Sequence, residues 1–120
     1  MQKIHSSKQL EERLKKFALR VARLIKALPK NPTNRVYGYQ VLKSSSSMGA
    51  NYAEATCAHT KKDFTHDINK CRKEAKESLY WLNLLYEVNE LLRPRMKDII
   101  EESEELVKIF QSAVFTAKSK

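Results

Sequence analysis

Glycine and proline are scarce in this sequence of 120 residues, which contains two glycines and three prolines. An all-β domain of this size needs many tight turns, and such turns depend heavily on these two residue types. Their scarcity therefore argues against a sandwich or barrel of short strands. A chain of this length can bury one hydrophobic core but not two, so we expect a single domain spanning residues 1–120.

Long hydrophobic runs are also missing. No apolar stretch approaches the roughly 18 residues that a membrane-spanning helix requires. The first ten residues, MQKIHSSKQL, lack the apolar segment of a signal peptide. Cys57 and Cys71 make no disulfide framework, and each is expected to be a reduced packing residue. We therefore expect a cytoplasmic protein with no membrane partner.

The apolar residues that are present recur at helical spacing. In the first predicted helix they alternate steps of four and three residues: Leu10, Leu14, Phe17, Val21, Leu24 and Leu28. Ser6 and Gln9 have the spacing of a capping box at the start of this helix. Pro29 and Pro32 end the helix and form the first connection.

The second predicted helix is the least regular. It is expected to begin after Thr33 or Asn34 and to run to about Ala58. One stripe carries mostly small residues, which would let a neighbouring backbone approach closely: Leu42, Ser46, Gly49 and Ala53. Serine is a mediocre helix former, so the serine run 44–47 is alternatively interpreted as a flexible linker.

Two further amphipathic helices complete the predicted fold. The third begins near Thr60, which caps it together with Asp63, and the fourth begins at Pro94. Their predicted core residues are Phe64, Ile68, Cys71, Ala75, Leu79, Leu82, Leu85 and Val88, then Met96, Ile99, Ile100, Leu106, Val107, Phe110 and Val114. Four such helices with short connections indicate an all-α fold, an antiparallel up-down-up-down four-helix bundle.

Negative charge is nearly absent from the first 50 residues. They contain 11 lysines and arginines against Glu11 and Glu12, whereas the rest of the chain contains 12 basic and 12 acidic residues. The entire net charge of +9 therefore lies in the first 50 residues. This asymmetry favours a polyanion or an acidic protein as partner over a merely solubilising role.

A basic stripe runs along the first helix. Arg13, Lys16, Arg20 and Arg23 follow steps of three, four and three residues, so they fall within an arc of about 80° beside the apolar stripe. Lys26, Lys30, Arg35 and Lys43 complete the predicted nucleic-acid-binding set. Basic groups on one face suit phosphate binding, although an ordinary solvated face is the alternative interpretation.

The tyrosines offer a further contact with nucleic acid. Stacking on bases is one interpretation, but tyrosine at helical spacing more often belongs to a core or an interface. The five tyrosines are Tyr37, Tyr39, Tyr52, Tyr80 and Tyr86.

The segment from Leu42 to Ala55, LKSSSSMGANYAEA, resembles the signature of a bacterial four-helix-bundle family encoded in intervening sequences of large-subunit ribosomal RNA genes. The segments 61–64 and 74–82 are similar to the third helix of that family. Met48 stands where isoleucine is commoner. The residues that the resemblance identifies as signature and packing positions are Ser47, Gly49, Ala50, Asn51, Tyr52 and Glu54.

The resemblance implies properties that periodicity does not predict. Relatives assemble as homo-pentamers, so it implies a homo-oligomer. One branch comprises accessory proteins of diversity-generating retroelements, which bind a reverse transcriptase and nucleic acid. No enzymatic activity is attributed to the fold. Asn51 and Glu54 lie one turn apart, where they would either form a polar site or hydrogen-bond the helix to a neighbouring helix or subunit.

Catalytic and metal-binding patterns are weak. Cys57 and His59 lie two residues apart, with His66 and Asp67 further on, but zinc requires four ligands and neither CxxC nor HExxH occurs. No Ser-His-Asp arrangement or glycine-rich phosphate loop is discernible. We therefore expect a non-catalytic protein with no cofactor and no metal.

The sequence favours two functions, and a nuclease is the third hypothesis. The first is an oligomeric protein that binds nucleic acid, RNA ahead of DNA, through the basic face of the first helix. The second is a protein-interaction scaffold or accessory subunit, for example of a reverse transcriptase, without sequence-specific nucleic-acid recognition of its own.

Overall fold

Four long helices make up most of the protein in a computed structural model, which describes residues 7–119. They are α1 (Ser7–Ala27), α2 (Pro32–Thr56), α3 (Lys61–Val88) and α4 (Arg93–Lys118), and a short 3-10 helix (Glu90–Leu92) precedes α4. No strand occurs within residues 7–119. The predicted all-α fold is confirmed.

The helices form a four-sided bundle. Each packs on its neighbours in sequence, α1 also packs on α4, and no close contacts cross the diagonals among the described residues. The pairing of α2 with α3 is the most extensive, and that of α1 with α4 is the sparsest. The arrangement is the predicted up-down-up-down bundle, with extents of 46 × 25 × 21 Å.

Most of the predicted core is buried as expected. All six apolar residues of the α1 stripe are buried, as are those of α4 except for the partly buried Ile100. On α3 two predictions were wrong, because Phe64 and Val88 are 37% and 50% exposed. They lie in the first and last turns of α3, where fewer neighbouring side chains cover the helix.

Helix α2 begins earlier than predicted. The Asn31 side chain accepts a hydrogen bond from the backbone N–H of Asn34 at 2.8 Å, and Pro32 occupies the first helical turn. An asparagine cap followed by proline is a strong start signal, and it overrides the expected start after Thr33 or Asn34. The helix ends at Thr56 and includes the serine run, so the linker interpretation was wrong.

The buried face of α2 also differs from the prediction. Leu42, Ser46 and Ala53 are exposed, and the buried face lies beside them. It consists of Asn34, Gly38, Val41, Ser44, Ser45, Met48, Tyr52 and Ala55. Of the predicted stripe, only Gly49 packs closely, since an added Cβ there would lie 3.7 Å from Leu14 Cβ.

Small polar residues of α2 are buried because they form hydrogen bonds. The hydroxyl oxygens of Ser44 and Ser78 lie 2.8 Å apart between α2 and α3. Further along, the Cys71 thiol donates a hydrogen bond to the Met48 carbonyl at 3.6 Å. Small side chains at these positions let the two helices pack closely, which accounts for the extensive α2–α3 pairing.

Side-chain caps also define other helix ends. The Thr60 hydroxyl accepts a hydrogen bond from the backbone N–H of Asp63 at 3.0 Å, which confirms the predicted start of α3. Pro94 lies in the first turn of α4, which begins one residue earlier, at Arg93. Ser6, the other predicted cap, lies outside the described residues.

A buried pair of asparagines connects the first turn of α2 to the C-terminal end of α3, at one end of the bundle. Asn34 Nδ2 donates to Asn89 Oδ1 at 2.9 Å, and Asn89 Nδ2 donates to Asn34 Oδ1 at 2.8 Å. The remaining N–H groups donate to the carbonyls of Pro29 and Leu85, each at 2.9 Å. Every donor of both amides is therefore satisfied in a buried site.

Replacing Asn34 by alanine should destabilise the fold by about 1–3 kcal/mol, because it leaves the buried Asn89 amide without its partner. Urea unfolding followed by circular dichroism at 222 nm measures this loss. The matched control is Asn83→Ala, which removes an exposed amide from α3 and should change stability by less than about 0.5 kcal/mol. Equal midpoints for the two variants would contradict a structural role for the pair.

Candidate nucleic-acid interface

Arg13 does not share the environment of the other predicted basic residues. Its Nε and Nη2 donate to the two carboxylate oxygens of Glu102 on α4, at 2.7 and 2.9 Å. This hydrogen-bonded contact raises the pKa of the Arg13 guanidinium, so the group stays charged. Arg13 thus links α1 to α4 by a bidentate ion pair, and its charge is largely neutralised within the chain.

Further along α1, basic side chains line the sparse seam with α4. A cleft of about 150 Å³ is lined by Arg20, Arg23 and Leu24 of α1 and by Arg95 and Ile99 of α4. Lys16 lines another cleft of α1, together with Glu12 and Arg13. None of Lys16, Arg20, Arg23 and Arg95 forms an ion pair with another residue in the range 7–119. These four charges are therefore not directly paired within the described part of the chain.

Three other predicted residues continue toward the first connection. Lys26 is exposed near the end of α1. Lys30 and Arg35 line a cleft of about 210 Å³ where α1 meets α2, beside Asn31 and Asn34. They lie at the same end of the bundle as the asparagine pair.

Lys43 lies apart from this group. It is exposed on α2, and its charge acts on Glu74 of α3. Burial raises the pKa of Glu74, as does the nearby Glu77, while Lys43 opposes that rise. The predicted set therefore divides into a cluster around the α1–α4 seam and the first connection, the neutralised Arg13, and the separate Lys43.

The antiparallel topology adds basic residues that the sequence prediction missed. It brings residues 20–40 and 80–100 to one end of the bundle, which we call the basic end. These two segments contain eight lysines and arginines but only three acidic residues. The contribution from α4 is Arg93, Arg95 and Lys97. The predicted bundle already implies that α1 pairs with α4. That pairing could have identified the three basic residues of α4 as neighbours of the α1 stripe.

The tyrosines occupy three kinds of position. Tyr52 is buried, with its ring edge-on to Phe110 and its hydroxyl 3.3 Å from Ser7 Oγ. The Arg93 guanidinium lies over the Tyr86 ring, with its Cζ atom 5.0 Å from the ring centroid. Tyr37 packs on Trp81, whereas Tyr39 and Tyr80 are exposed.

The signature residues are not gathered into one site. Among Ser47, Gly49, Ala50, Asn51, Tyr52 and Glu54, only Tyr52 is buried, and Ala50 and Glu54 are exposed. Within the described residues, Asn51 and Glu54 make no side-chain hydrogen bond. A link from them to a neighbouring helix of the same chain is therefore not formed.

The two cysteines differ sharply in environment. Cys57 is exposed just after α2, whereas Cys71 is fully buried between α2 and α3. Burial raises the pKa of the Cys71 thiol to about 12, and the nearby Asp67 carboxylate contributes to the rise. Cys71 is therefore a protonated packing residue at neutral pH.

Residues 7–119 contain neither a cluster of potential metal ligands nor a helix that could span a membrane. No three His, Cys, Asp or Glu side chains of this segment lie together as metal ligands would. Within the same residues, no helix has the length and apolar character needed to cross a membrane.

Comparison with known proteins places this bundle in a family. The model of the 23S rRNA-intervening sequence protein family matches residues 8–112. The chain belongs to that family. It is also similar to a solved structure from Bacteroides thetaiotaomicron, a protein of unknown function from the S23 ribosomal protein family. The two share 32% identity with a TM-score of 0.79, over 90% of this chain and 96% of that chain. No curated protein matches the sequence.

These comparisons confirm the resemblance drawn from the segment 42–55 and support the same fold over nearly the whole chain. They do not bear on the relation to retroelement accessory proteins or on pentamer formation, which stay predictions.

The environments of the two cysteines predict different reactivities. In the native protein, a disulfide reagent such as Ellman's reagent should modify Cys57 rapidly and Cys71 only after unfolding, because the thiolate is the reactive form. The Cys57→Ser variant should lose the rapid phase, and Cys71→Ala should retain it. Rapid modification of two thiols per chain under native conditions would contradict the buried position of Cys71.

The raised pKa of Cys71 also predicts a pH dependence of stability. An unfolded cysteine has a pKa of about 8.5, below the folded value, so its stabilising contribution is complete below about pH 8.5. That contribution is lost progressively as the pH rises toward the folded pKa of about 12. Wild type should therefore lose more unfolding free energy than Cys71→Ala between about pH 8.5 and pH 10.

Proposed function

We propose that the protein binds the phosphate backbone of nucleic acid through the basic end and the adjoining part of α1. The observation that supports this proposal is the collection of eight basic and three acidic residues in segments 20–40 and 80–100. The basic residues come from α1, the first connection, α2 and α4, so the folded bundle concentrates charge that is dispersed along the sequence. A positive potential of this kind attracts a polyanion.

The availability of the basic groups supports the same proposal. Arg13 is engaged by Glu102, but Lys16, Arg20 and Arg23 have no acidic partner among the described residues. Guanidinium and ammonium groups that are free of internal partners can replace the counterions of a phosphate backbone. Binding of this type depends on charge and becomes weaker as salt concentration rises.

Neutralising Lys16, Arg20 and Arg23 together by glutamine should abolish most of the binding to single-stranded RNA and DNA. The slope of log affinity against log salt should also fall by about two, since each of the three lost phosphate contacts removes about 0.7 from it for a single strand. Fluorescence anisotropy with labelled oligonucleotides at several potassium chloride concentrations measures both quantities.

The matched control removes the same charge from α3, as Lys62→Gln, Lys73→Gln and Lys76→Gln, three exposed residues. This variant should retain most of the affinity. If both triple variants lose the same affinity for nucleic acid, binding depends only on net charge and not on the proposed surface, which would contradict the proposal. The proposal is also refuted if wild type shows no salt-dependent binding.

A second function, association with further copies of the chain, is supported by an apolar surface on the α2–α3 side of the bundle, opposite the α1–α4 seam. We call it the aromatic face, and it comprises Tyr37, Tyr80, Trp81, Leu84 and Val88. The Trp81 ring lies 5.8 Å from Tyr37 and 5.1 Å from Tyr80, between ring centroids. Tyr80 and Val88 are exposed. The buried Trp81 Nε1 has no hydrogen-bond partner among the described residues.

Such an exposed apolar surface is typical of an interface. The expected homo-oligomer would cover it with a second copy of this chain. Light scattering coupled to size-exclusion chromatography should then give a mass of several chains for wild type. Substituting aspartate for both Tyr80 and Val88 should reduce that mass to a single chain.

The control substitutes aspartate for both Leu19 and Phe115, exposed apolar residues of α1 and α4, and so adds the same two negative charges away from the aromatic face. It should leave the mass unchanged. A wild-type protein that elutes as a single chain would refute this second function.

A further inference from the structure

Three arginines meet at one cleft of the sparse α1–α4 seam. Arg20 and Arg23 belong to α1 and Arg95 to α4, and the cleft between them has a volume of about 150 Å³. Its floor is apolar, because Leu24 and Ile99 are each only 4% exposed. The cleft therefore combines a closed, apolar base with positive charge contributed by two helices.

The neighbouring Arg13 and Arg93 are paired with carboxylates of the same chain, whereas the three arginines of the cleft are not. Two turns away on α1, Arg13 makes its bidentate pair with Glu102. Two residues before Arg95, Arg93 donates to the carbonyls of Tyr86 and Glu87 at 2.9 and 3.2 Å. Its guanidinium also lies 3.6 Å from the Glu87 carboxylate.

No comparable partner serves the arginines of the cleft. Among the residues described, none of the three forms an ion pair. Asp98, which lies one helical turn after Arg95, is exposed and makes no ion pair with it. Three like charges at one cleft repel one another, and an anion bound between them would remove that repulsion.

The chemistry of the three side chains indicates which anion fits. Each guanidinium presents a planar fork of N–H donors, which matches the oxygens of a phosphate group in a bidentate manner. The absence of a carboxylate from the cleft lining leaves no acceptor that would favour a metal ion or an amine. The lining thus favours a small, highly charged oxyanion.

We propose that the Arg20–Arg23–Arg95 cleft binds one phosphate group of the nucleic acid as a discrete site, in contrast to the diffuse attraction of the other basic residues. This inference rests on the proposed function, and it assigns a specific contact to Arg95. Arg95 belongs to α4 and lies outside the α1 stripe, so changing it tests the cleft without disrupting that stripe.

The experiment compares wild type, Arg95→Gln and a matched control, Lys118→Gln. Lys118 is an exposed residue of the same helix with the same charge, but it lies at the other end of α4, outside the basic end. Arg95→Gln should weaken binding of single-stranded RNA by about tenfold and lower the salt slope by about 0.7. Lys118→Gln should weaken binding less than about twofold, and circular dichroism should show that both variants are folded.

A second measurement uses inorganic phosphate and needs no nucleic acid. Sodium phosphate should raise the melting temperature of wild type and Lys118→Gln above that in sodium chloride of equal ionic strength. The rise should be smaller for Arg95→Gln, and the comparison between variants removes the general stabilisation by phosphate as an excluded salt.

The two measurements separate the site from the proposed function. If phosphate raises the melting temperature only when Arg95 is present, but wild type binds no nucleic acid, the cleft is supported as a phosphate site. The same result would refute the proposed function. Nucleic-acid binding that falls equally in the two variants would refute the cleft while the proposed function stands. The cleft is also refuted if phosphate stabilises Arg95→Gln as strongly as wild type.

Discussion

The hydrogen-bonded pair of Asn34 and Asn89 fixes the register of α2 against α3. Each amide donates to the other and to one backbone carbonyl, of Pro29 or Leu85, inside the protein. A shift of either helix would leave buried amides without partners, at a cost comparable to much of the stability of a small domain. The same register brings Ser44 opposite Ser78, so one polar interaction specifies the pairing that apolar side chains alone would leave open.

The position of the basic end follows from this register and from the apolar stripes. Burial of Leu24 and Ile99 sets the rotation of α1 and α4, and the arginines beside them are thereby directed to the seam between those helices. Charge thus becomes concentrated where packing is sparsest. Closer packing of α1 on α4 would bring three guanidinium groups nearer to one another without a counter-charge, which is unfavourable.

The sequence was informative where apolar periodicity is strong and misleading where small polar residues are buried. The stripes of α1 and α4 predicted the core correctly. On α2 the prediction chose Leu42 and missed Ser44 and Ser45, because hydrogen bonds to Ser78 and to backbone carbonyls allow these serines to be buried. The Arg13–Glu102 pair and the position of Arg95 depend on contacts between residues far apart in sequence. No local pattern encodes them.

The arginine cleft and the aromatic face lie at the same end of the bundle but on opposite sides, along the α1–α4 seam and the α2–α3 pair. The square order of the helices separates these two sides, so contacts made through the aromatic face need not cover the cleft. Copies associated through the aromatic face would each leave their arginine cleft open to solvent. Several such clefts on one assembly would act on the same strand at high effective concentration. Weak phosphate contacts in a single chain would then suffice for firm binding by the assembly, which makes the two proposed functions complementary rather than alternative.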